Sequence, residues 1–96
     1  MTMPPAAEKL VADLKAAAGA ASQLEAAEAD ADRASLLVGI RDVAACAAQV
    51  VVAHYGADRR YVVQVAHLLR AAAGQVLNDA EVLAAGGEAW KESRSW

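Results

Sequence analysis

Phenylalanine is absent from this 96-residue chain, cysteine occurs once, and tryptophan and tyrosine occur twice each. A single cysteine excludes a disulfide scaffold. The shortage of aromatics excludes a core built on large flat side chains. Both prolines stand at positions 4 and 5, so no proline interrupts a helix further along. Basic residues are outnumbered: nine Lys and Arg face twelve Asp and Glu, for a formal charge of −3. That balance disfavours a nucleic-acid binder of the usual kind, because phosphate binding needs a basic surface.

What the chain has instead is alanine, 27 residues of it, with eleven valines, nine leucines and one isoleucine. A hydrophobic share of 57% argues against disorder. Alanine loses no side-chain entropy on entering a helix and has the best helix propensity. The expected fold is all-α: a three-helix bundle, or a long helical hairpin if the second and third helices merge through Gly56. Residues 1–87 form one helical domain in this reading, and 88–96 a short tail. Burying a Leu or Val contributes roughly 1.5–3 kcal/mol and alanine much less. Close helix approach or a partner chain must therefore compensate.

The first helix is expected to start at Pro4-Pro5, with Glu8 complementing its N-terminal dipole. Leu10, Leu14, Ala17, Ala21 and Leu24 form its apolar stripe. The acidic run from Glu25 to Arg33 either continues that helix or opens the next, with Asp32 or Ser35 as the N-cap. A second helix runs from about Ser35 to Tyr55. Its stripes are Leu36, Ile40, Val43, Ala47, Val50 and His54; then Leu37, Ala44 and Val51; then Val38, Ala45 and Val52. A helix apolar on most of its circumference lies between other elements, so this one is expected at the centre. Gly56 is its expected stop. Asp58 is expected to cap a third helix, with Val62, Val65, Leu69, Ala72, Val76, Ala80 and Leu83 inward and Arg60, Gln64, His67, Gly74, Asn78 and Glu81 outward. Gly86-Gly87 ends it.

Little in the chain carries chemistry. His54 and His67 lie thirteen residues apart without a repeating carboxylate-histidine spacing, so no metal and no cofactor is expected. Cys46 reads as a small buried hydrophobe. The window Leu36 to Tyr55 contains Arg41, Asp42, Gln49 and His54 and reads as a buried helix rather than a membrane span. His54 reads as a residue suited to a helix C-terminus. His67 sits mid-helix on the polar stripe. The segment His67-Leu68-Leu69-Arg70-Ala71 is similar to the His-x-x-Lys-Gly pattern of histidine phosphotransfer helices. That likeness implies a phosphoryl group on His67 steadied by Arg70, although Arg and Ala replace Lys and Gly.

Pro4-Pro5, Asp42-Val43, Val50-Val51 and His54 carry a second likeness. In an ungapped register from Pro4 to His54, the chain resembles the small helical proteins of actinobacterial type VII secretion, the PE family and its WXG relatives. The likeness implies a helical partner and no catalysis. Departures are plain. Pro5 stands where the family has Glu, and Val50-Val51 where it has Leu-Phe. There is no Trp-x-Gly turn. The Tyr-x-x-x-Asp/Glu export signal is missing, since Tyr55 is followed by Arg59 and Tyr61 by Val65.

The expected function is therefore a non-enzymatic interaction module that buries an alanine-rich face against its own copy or another helical protein. Leu36, Leu37, Ile40, Ala44, Val51 and Val52 are its candidate interface, and Trp90 in the tail is a candidate anchor. Phosphotransfer through His67 is the alternative. A cytoplasmic location is expected because Met1–Pro5 lacks a basic segment and no uncharged apolar run follows. Export without a signal peptide is the variant that the secretion likeness raises.

Overall fold

A computed structural model describes residues 3–56 and 59–86. Among these described residues three α-helices follow one another: α1 (Pro5–Ala27), α2 (Ala31–Tyr55) and α3 (Arg59–Ala84). The fold is all-α, and α2 and α3 are separate antiparallel helices. Ser35 Oγ near the start of α2 donates to Asp79 Oδ2 near the end of α3 at 2.9 Å. The chain therefore reverses after Gly56 and does not run on as one rod.

Local chemistry sets the ends. Pro5 occupies the first turn of α1, and the Pro4 carbonyl accepts from the amides of Ala7 and Glu8, both at 3.0 Å. α1 stops at Ala27, and Glu28 bridges the turn by accepting from the Asp30 amide through Oε1 at 3.1 Å. The N-cap of α2 is Asp30, not Asp32 or Ser35: its Oδ1 accepts from the amides of Asp32 at 2.9 Å and Arg33 at 3.2 Å. Satisfying two otherwise orphaned donors favours the earlier position. Gly56 caps α2 at φ −80°, an ordinary right-handed value, so the stop there does not use glycine's freedom. Gly86 does use it, with φ 100° just past the end of α3. The proposed Asp58 cap and the 88–96 tail lie outside the described residues.

Packing is centred on α2, which contacts both neighbours, while α1 and α3 scarcely touch each other. The central position expected of the most uniformly apolar helix is thus observed. The interior is thin. Ala7, Val11, Ala21, Ala44, Ala48, Ala53 and Val65 are the buried apolar residues among those described. On α1 the inward stripe is Ala7, Val11, Leu14, Ala18 and Ala21. Of the expected stripe, Leu10 and Leu24 stay 48% and 59% exposed. The helix is rotated so that Ala7, Ala18 and Ala21 face α2 beside Val11 and Leu14.

The same economy of size explains Gly39. A Cβ there would stand 2.8 Å from Val76 Cγ2, so glycine admits α3 at that level. One turn further along α3, Asp79 takes the inward position expected of Ala80. Asp79 is 9% exposed and also accepts from Gln75 Nε2 at 3.0 Å. A buried carboxylate needs such donors.

Two stability predictions follow from these positions. Asp30→Ala lowers unfolding free energy by about 1 kcal/mol through loss of the cap, read as a lower thermal midpoint by circular dichroism. Nothing lies within 4 Å of a Cβ added at Gly19 or Gly74. Alanine at either site stabilises the fold by roughly 0.5–1 kcal/mol in urea unfolding. Gly39→Ala forfeits that gain, because its methyl group meets Val76.

Candidate interaction surface

Successive residues of a helix are turned by about 100°. On α2, Ser35 and Gly39 mark the direction of α3. Ala48 is nine residues beyond Gly39, hence about 180° away, and shares a groove with Lys15 and Ala18 of α1. Its neighbours α1 and α3 therefore sit on opposite flanks of α2, and the three helices form one layer. Among the described residues, such a layer leaves two sides of its central helix uncovered.

These two sides differ. One carries Leu36, Ile40, Val43, Ala47, Val50 and His54 of α2. At its lower end a groove of about 450 Å³ joins Ala6, Ala7 and Leu10 of α1 to Val50, Val51, His54 and Tyr55 of α2 and Val62 of α3. His54 there meets the Tyr55 ring edge-on, with centroids 4.9 Å apart. Arg33 stands at the upper end of this stripe, and from Leu36 to Val50 the stripe has no ionisable side chain. We call it the aliphatic face. Leu24 of α1 and Leu77 of α3 lie on its two margins.

The opposite side carries Val38, Ala45, Gln49 and Val52. Its groove, about 380 Å³, is lined by Lys15, Ala18, Ala45, Ala48, Gln49, Val52 and Tyr61. Arg41 and Asp42 flank this mixed face as an ion pair, with Arg41 Nη2 donating to Asp42 Oδ1 at 3.1 Å. Polar and apolar groups alternate along it.

The six candidate interface residues of α2 do not share one surface. Leu36, Ile40 and Val51 belong to the aliphatic face. Leu37 and Ala44 turn toward α1, and Ala44 is 8% exposed, so its side chain is used inside the chain. Val52 lies on the mixed face. Trp90 falls outside the described residues. Reading by composition missed Leu10, Leu24 and Leu77, which extend the aliphatic face onto the flanking helices. Their apolar character on exposed turns is the signal that could have found them. His67 and Arg70 are both exposed on α3, one turn apart, and Cys46 is half-buried. By length and composition α2 could also cross a membrane, with a mean hydropathy of 1.8. No family model, curated protein or solved structure matches the chain.

Proposed function

We propose that this chain is a non-enzymatic interaction module whose aliphatic face is covered by another helical surface. One observation carries the reading. An aliphatic strip runs along α2 from Leu36 to Val50 and continues onto both neighbours, with Leu10, Leu24, Ile40 and Leu77 between 41% and 61% exposed and Arg33 and Arg70 at its edge. Single exposed leucines are ordinary, but a contiguous apolar patch with a polar margin marks a contact surface. The mixed face supplies the contrast, because the Arg41–Asp42 pair and Lys15 keep it wetted.

A membrane-spanning role for α2 accords less well with the packing. Two further helices lie along α2, and Asp79 reaches it through Ser35. A helical partner is also what the likeness to the small type VII secretion proteins implies. Export has no support from the motifs, since both tyrosine spacings lack the acidic residue.

Phosphotransfer remains a second reading on one observation. His67 is exposed with Arg70 one turn away, and Gly74, two turns on, offers a flat approach. In that case a phosphoryl group leaves a response regulator's aspartyl phosphate for an imidazole nitrogen of His67, releasing the carboxylate. Label transfer that His67→Gln abolishes supports it, and transfer that survives the substitution removes it.

Sedimentation velocity from micromolar to near-millimolar concentration tests the interaction reading. The expected result is association that Ile40→Glu weakens while helicity persists. A folded monomer over the whole range excludes self-association and confines the reading to a different helical protein.

A further inference from the structure

We propose that the aliphatic face is closed by a second copy of this chain, stacked antiparallel about a two-fold axis level with Ala17, Val43 and Ala71. This rests on the interaction reading above and adds the partner and the arrangement.

The levels come from contacts within the chain. The Ser35–Asp79 hydrogen bond and the Gly39–Val76 contact place Val43 level with positions 71 and 72 of α3. The groove shared by Leu10 and Val50 places Val43 level with position 17 of α1. A two-fold axis in the plane of the face at that height turns each helix onto its own copy in reverse. Opposed helices bring unlike dipole ends together.

Size complementarity favours this axis. Across it Ile40 meets Ala47 of the second copy, Leu69 meets Ala73, and Leu77 meets Ala66. At these three pairs a large residue stands opposite an alanine, as packed layers interdigitate, while Leu36 meets Val50 and Val43 meets its own copy. Leu10 and Leu24 exchange places at the two ends of α1. The same surface facing itself is what a two-fold dimer requires.

Area is sufficient as well. A 25-residue α2 is roughly 38 Å long at 1.5 Å per residue, and three helices spaced 8–10 Å apart span roughly 25 Å. The resulting face of roughly 900 Å² matches the roughly 800 Å² per partner of a standard stable interface. Stacking through the aliphatic face keeps Arg33 and Arg70 at its edge, whereas stacking through the mixed face would desolvate Lys15 and the Arg41–Asp42 pair.

Engineered cysteines in a Cys46→Ala background test the arrangement. Val43→Cys, beside the axis, is expected to oxidise to a covalent dimer. Leu36→Cys and Val50→Cys are each expected to stay uncrosslinked alone and to link when mixed. In the unmodified background, Ile40→Glu is expected to weaken association by about tenfold or more, and Gln49→Glu on the other face to leave it within about twofold. Circular dichroism establishes that each variant is helical. If Leu36→Cys and Val50→Cys each link to themselves, the antiparallel stack is overturned while the interaction reading stands. If Gln49→Glu and not Ile40→Glu disrupts association, the choice of face is overturned. A folded monomer at every concentration overturns the second copy as occupant while a different helical partner stays within the interaction reading, and a monomer that floats with phosphatidylcholine vesicles assigns the face to lipid instead.

Discussion

Small side chains at the helix seams are the constraint from which the other features follow. Five of the seven buried apolar residues among those described are alanines. Alanine removes little surface from water, so its contribution depends on how near the neighbouring helix comes. Closeness is obtained by turning the small residues inward on α1 and by omitting a side chain at Gly39 where Val76 arrives. The leucines displaced by this choice are left on the outside. An interior of this kind and an exterior rich in Leu and Val are two aspects of one packing solution.

A layer of three helices arises for a related reason. α1 and α3 both meet α2 and hardly meet each other. A compact triangular arrangement would cover one side of α2 and require a third seam. Among the described residues that seam is not built, and both broad sides of α2 are left uncovered. The sides are chemically unequal because Lys15, Arg41, Asp42 and Gln49 gather on one of them. α2 therefore reads as apolar all round in composition, yet presents two distinct surfaces once its neighbours are fixed.

Helix type and the central place of α2 were legible from alanine content and the breadth of the apolar sector, whereas three helices and a merged hairpin both stood open until the reversal after Gly56 decided between them. Cap identity was less so, because Asp30, Asp32 and Ser35 all carry suitable oxygens and only the geometry selects Asp30. Of the expected α1 stripe, Leu14 and Ala21 face inward while Leu10, Ala17 and Leu24 do not, for a physical reason. Hydropathy places leucine inside, whereas the seam takes Ala7, Val11 and Ala18 in their stead. Asp79 was hidden for the opposite reason, since a carboxylate at an inward position is favourable only beside donors such as Ser35 and Gln75, which lie elsewhere in the sequence. Three of the six interface candidates on α2 share a face, and the other three are separated by angles that a list of apolar residues does not contain.

The Ser35–Asp79 bond has a mechanical meaning. Alanine-lined helices have shallow ridges, and smooth rods slide. A slip of α3 by one turn, about 5.4 Å, would carry the Asp79 carboxylate away from its hydroxyl donor. In one direction it would come to rest over the bare backbone of Gly39. Losing a buried partner costs roughly 1–3 kcal/mol, enough to penalise each misaligned state several-fold or more. The chain joins α2 to α3 at one end, and this carboxylate acts as the detent at the other, so the hairpin keeps a single alignment that its seam residues alone would not impose.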